Sequence, residues 1–110
     1  MGLTRVRAMT TSEEVTGVFE HWVSTVWTGR GVRPVLTDKR KRLIQRALDD
    51  YGVDVCKAAI TGNSTSSWHQ GQNPGRKKYN SIELILRDAE HIERFANMVL
   101  EDPTADFLGN

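Results

Sequence analysis

A chain of 110 residues is one domain's worth of length, enough for a modest core and too short for two. Its composition is 38% hydrophobic and 26% charged, that of an ordinary globular domain, and no apolar run approaches the ~18–20 residues of a membrane span. A single cysteine, Cys56, excludes an intramolecular disulfide and a Cys-rich zinc site. Charged and polar residues interrupt every apolar stretch of the first 30 residues, so no signal-peptide core is expected there. The expectation is a soluble, cytoplasmic protein.

Residues 1–10 show no period and read as a flexible arm. Thr11 and Glu14 then form a T-x-x-E capping-box pattern. Val15, Val18, Phe19, Trp22, Val23 and Val26 follow at steps of three and four, which predicts a helix over 12–27 with one apolar face. A short hairpin over 22–35 is the weaker alternative. Residues 28–36 are turn-rich. Thr37 is a fitting N-cap for a second helix whose apolar steps are Leu43, Ile44, Ala47, Leu48 and Tyr51, with Gly52 as its stop. A short third helix is expected over 54–61, ended by Gly62. Residues 62–80 form a polar loop of a length that is usually functional or disordered. Ile82, Ile85, Leu86, Ala89, Ile92, Ala96 and Val99 predict one last helix over 82–100, stopped by Pro103. It is long enough for part of its stripe to pack on a second copy of the chain. The expected fold is all-α: a small bundle of about four helices, with one long loop between the third and fourth. Residues 11–102 form its single domain, and 103–110 an acidic tail.

The net charge of +1 conceals a strong division. Residues 30–78 carry eleven basic and four acidic side chains, whereas 81–110 carry two basic and seven acidic. A basic middle and an acidic end point to an anionic partner for the middle.

Enzyme signatures do not emerge. His21, His69 and His91 lack metal-ligand spacing, and no nucleophile elbow, phosphate-binding loop or dinucleotide fingerprint occurs. Cys56 falls on an expected buried helix, where a small core residue is the simpler reading. No catalytic residue, metal or cofactor is therefore assigned.

Two features suit nucleic acid. The run Lys39, Arg40, Lys41, Arg42, with Arg46 one turn on, can neutralise phosphates, although a solvated helix face explains such a run by itself. The loop adds Arg76, Lys77 and Lys78 and interleaves them with Trp68, Tyr79, Gln70, Gln72 and Asn73. Aromatics of this kind stack on bases, and amides bond base edges. The competing reading is that Trp68 and Tyr79 anchor the loop to the helices.

The order of segments also carries a resemblance. It runs from Val18-Phe19-Glu20-His21-Trp22 through Leu36-Thr37 and Tyr51-Gly52-Val53 to Ala59-Ile60. Trp68-His69 and Gly71-x-Asn73 follow, then Tyr79-x-x-Ile82-Glu83-Leu84-Ile85-Leu86-Arg87-Asp88-x-Glu90. Over about 15–97 this resembles the C-terminal module of phage replication-initiation proteins, the replisome organisers, and is more remotely similar to the DnaD-like domain of primosomal proteins. The last block is its most specific part. The resemblance implies an all-α domain in the cytoplasm of a bacterial host that binds DNA, often single-stranded, and helps recruit the replicative helicase.

The expectation is thus a non-enzymatic nucleic-acid-binding accessory protein of phage DNA replication. Its contacts would be Lys39, Arg40, Lys41, Arg42, Arg46, Trp68, Arg76, Lys77, Lys78 and Tyr79. Expected partners are DNA, the replicative helicase or another replisome protein, and a second copy of the chain, with no membrane. The alternative is an adaptor or anti-host protein that binds a replisome component without contacting DNA, through the acidic last helix and tail.

Overall fold

The computed structural model describes residues 11–100. The expected arm 1–10 and tail 103–110 lie outside the described residues. Within them the chain is all-α, with α1 Ser12–Val26, α2 Asp38–Thr65, α3 Ile82–Ile85 and α4 Ala89–Leu100, and no strand. The hairpin alternative over 22–35 does not form.

Local chemistry sets the helix starts. At α1 the capping box closes: the Glu14 N–H donates to Thr11 Oγ1 (3.1 Å) and the Thr11 N–H to Glu14 Oε1 (3.4 Å). Its expected stripe is the buried one: Val15, Val18, Phe19, Trp22 and Val23. At α2 the Thr37 hydroxyl accepts from the Arg40 N–H (3.2 Å). Gly52 breaks α2 as expected, with φ 87° and ψ 172°, a region open essentially to glycine alone. Two helical runs, 38–51 and 53–65, meet at that break.

Two sequence expectations are overturned. Gly62 does not end a helix; α2 continues to Thr65, and Gly62 is buried where α4 crosses. A Cβ there would sit 1.9 Å from the Phe95 carbonyl oxygen, so the glycine is required by close backbone approach. The single helix over 82–100 is also broken. Leu86 ends α3, its N–H reaching the Ile82 carbonyl (3.0 Å). Asp88 then restarts the helix by accepting the His91 N–H (3.0 Å) on its side chain. An Asp that can bond a free amide three residues on favours a cap over a helix interior.

α2 is the hub, with α1, α3 and α4 all packed against it. The core joins the α1 stripe, Ile44, Ala47 and Leu48 of the first run, Cys56, Ala58, Ala59 and Ile60 of the second, and Ile82, Ile85, Leu86, Ile92, Phe95 and Ala96. Full burial of a side chain such as Phe95 stabilises by about 2–3 kcal/mol. No helix among the described residues is long and apolar enough to cross a membrane.

Candidate nucleic-acid interface

Helical spacing sorts the basic run. Lys39, Arg42, Leu43 and Arg46 recur at three- and four-residue steps and share one face of α2. Packing α3 beside that face brings Ser81, Glu83, Leu84 and Arg87 opposite, and the two sides enclose an open groove of about 670 Å³. Four cations therefore line it: Lys39, Arg42, Arg46 and Arg87. Arg46 is steadied by donating from Nη2 to the Arg87 carbonyl (2.8 Å). Lys39, Arg42 and the Arg87 guanidinium form no ion pair among the described residues.

Glu83 is the carboxylate of the groove, and it is already engaged. Arg40 Nε donates to Glu83 Oε2 at 2.9 Å, while its Nη1 donates to the Val35 carbonyl at 2.8 Å. The same guanidinium lies 5.3 Å from the Trp22 ring centre. Arg40 is thus a clamp between α1, the segment before α2, and α3, and it pairs with Glu83, the one carboxylate lining the groove among the described residues. Lys41, two positions from Lys39, points elsewhere; it sits 3.9 Å from Asp38 and lines a depression beside Thr11, Ser12 and Val15. The run of four cations does not form one surface, because successive helix residues are rotated by about 100°.

The loop between α2 and α3 is built around Asn63, which is 1% exposed. Its Nδ2 donates to the Tyr79 carbonyl (3.0 Å). Gln70 Nε2 donates to both Asn63 oxygens, at 2.8 Å to the carbonyl and 3.0 Å to Oδ1. Asn80 Nδ2 donates to Gln70 Oε1 (2.8 Å), and Trp22 Nε1 donates to the Asn80 carbonyl (2.9 Å). Asn73 bridges the tip, giving Nδ2 to the Trp68 and Lys77 carbonyls (2.8 and 2.7 Å) and accepting the Lys77 N–H (3.0 Å). Gln70 and Asn73, expected at base edges, are consumed inside the loop; Gln72 stays exposed.

Trp68 and Tyr79 stack face to face, with centroids 5.1 Å apart and planes 13° from parallel. His69 makes T-shaped contacts with Trp68 (5.1 Å, 70°) and with Phe95 (5.0 Å, 86°). Burial, then the charge of Arg94, hold His69 below its usual pKa, so it stays neutral at neutral pH. Arg76 and Lys78 line a second depression with Gln70, Gly71, Gln72 and Asn73, and Lys77 Nζ lies 5.8 Å from the Tyr79 ring centre.

Sequence reasoning missed Arg87, Glu83 and Asn63. The first two join the groove only through tertiary packing. Asn63, in the polar run 61–66, carries no signal that sets it apart in the sequence. Comparison with known proteins adds nothing: no family model, curated protein or solved structure matches the chain.

Proposed function

We propose that this chain is a non-enzymatic protein that binds nucleic acid by its phosphate backbone, through the groove between α2 and α3. The observation that carries this reading is four cations, Lys39, Arg42, Arg46 and Arg87, lining one groove whose carboxylate is neutralised by Arg40. Such a surface has an electrostatic demand for a chain of anions, and each phosphate it neutralises releases condensed counterion. The loop cations Arg76, Lys77 and Lys78 add to the same demand. The resemblance of the Tyr79–Glu90 block supplies the setting, an accessory protein of phage DNA replication in the bacterial cytoplasm, acting beside the replicative helicase.

The test is a salt titration of oligonucleotide binding. Four neutralised phosphates give a log–log slope of about −3, and the double substitution Arg42→Glu, Arg46→Glu abolishes binding. Lys41→Glu, off the groove, has a much smaller effect. Absence of affinity for single- and double-stranded DNA at low salt overturns the reading. It would favour the adaptor alternative, which draws on the exposed Met98, Val99 and Leu100 at the end of α4.

A further inference from the structure

Phosphate binding leaves one surface of the loop unused. Trp68 is 49% exposed, yet it is not a loose side chain. Its ring stacks nearly parallel to Tyr79, meets His69 in a T-shaped contact, and His69 in turn meets the buried Phe95 in another. The backbone on both sides is tied: the Tyr79 N–H donates to the His69 carbonyl (2.7 Å), and Asn73 holds the Trp68 carbonyl (2.8 Å). A series of ring contacts thus runs from Phe95 in the core through His69 and Trp68 to Tyr79, and within it the indole is half open to water. The same loop carries the exposed cations Arg76, Lys77 and Lys78, and Lys77 Nζ lies 5.8 Å from the Tyr79 ring centre. Arg76 itself adopts φ 53°, a left-handed conformation uncommon for a residue with a Cβ.

We propose that Trp68 is a base-stacking platform and that the ligand is a single-stranded polynucleotide, one unpaired base resting on the indole while the backbone runs into the α2–α3 groove. This deepens the reading given above and rests on it. An unpaired base offers a free π-face, whereas a duplex keeps its faces covered by stacking neighbours, so a flat, supported indole discriminates between the two. Tyr79, expected in the sequence to stack on its own account, is instead engaged by Trp68. The stack and the groove draw on neighbouring residues of the chain. Tyr79 belongs to the stack and Ser81 lines the groove, and two residues of chain span at most about 7 Å. One short strand can therefore engage both.

The experiment measures affinity of the full chain at low salt for three probes: a thymidylate 12-mer, an abasic strand with the same phosphates, and a 12-base-pair duplex. The wild type is expected to hold the thymidylate strand about tenfold more tightly than the abasic strand. Trp68→Ala should bind both at the abasic level, with duplex affinity unchanged within about twofold and the salt slope unaltered. Trp68→Leu, which keeps apolar bulk for packing, should behave as Trp68→Ala does, and Trp68→Phe should retain most of the preference. A uridylate 12-mer that shows the same dependence on Trp68 also supports the platform. Equal wild-type affinity for thymidylate and abasic strands overturns it, as does an equal loss on strand and duplex in Trp68→Leu. Salt-dependent binding with no base dependence removes the platform alone, and assigns Trp68 to a protein contact. Binding to none of the probes removes the groove reading and the platform together.

Discussion

The two runs of α2 divide the labour of one helix. The first, 38–51, buries a narrow stripe of Ile44, Ala47 and Leu48 and turns a cationic face outward. The second, 53–65, carries Lys57 as its one basic residue and is buried through Ile60 and a set of smaller side chains: Cys56, Ala58, Ala59, Gly62 and Asn63. Small residues let α4 approach closely; long cations need a free face. Gly52 separates the two demands, so a face can be tuned for charge in one run while packing is fixed in the other. The lesson is that substitutions in 53–65 should damage folding, and substitutions on the open face of 38–51 should damage binding alone.

The sharpest way to break that division is Gly62→Ala. The new methyl meets the Phe95 carbonyl oxygen, a backbone atom that cannot swing away. A loss of about 3 kcal/mol is expected in denaturant unfolding, despite alanine's better helix propensity. Gly52→Ala comes next, and by a different mechanism. Among the described residues nothing lies within 4 Å of the added carbon, so the cost of about 1–3 kcal/mol is one of backbone conformation. A native-like melt for either variant would refute the corresponding account.

Acidity probes the second run and its loop more gently. Burial, with the charge of Lys57 at His21 and Arg94 at His69, holds both histidines below their ordinary pKa of 6.5. The unfolded chain therefore binds the more protons as pH falls below about 6.5. Stability from these groups is present above that pH, declines beneath it, and levels off below the folded-state values. The melting temperature should fall between pH 7 and 5, and the double substitution His21→Gln, His69→Gln should flatten that slope. The smallest effect on folding belongs to the first run. Arg42→Glu with Arg46→Glu should alter stability by about 0.5 kcal/mol or less while removing oligonucleotide binding, read by melting and anisotropy on the same preparation.

Much of this fold was legible before any coordinates. The capping box at Thr11 and Glu14, the α1 stripe, the Thr37 cap and the Gly52 break all follow from local rules, and local rules survive packing. The failures share a cause. Gly62 reads as a stop because glycine often ends helices; its reason for being here is the backbone of another helix at Phe95, about thirty residues further along the chain. The break before α4 was hidden because apolar steps continue across Asp88, whose capping role depends on a competition that periodicity does not register. The site follows the same rule. Lys39, Arg42 and Arg46 align by helical spacing alone. The engagement of Arg40 by Glu83, the arrival of Arg87, and the use of Gln70 and Asn73 as internal ties are decided by packing. Of the residues expected to contact nucleic acid, the structure gathers some in the groove and others in the loop, and gives Arg40 and Lys41 different surroundings.

The internal ties of the 66–81 loop have a kinetic consequence. A segment whose amides are already satisfied has little order left to acquire when a ligand arrives, so capture needs no coupled folding step. Encounter is then governed by long-range attraction, and the association rate constant should fall steeply with ionic strength. Release, by contrast, should follow how well the individual contacts fit, so that salt and sequence act on separate halves of the affinity.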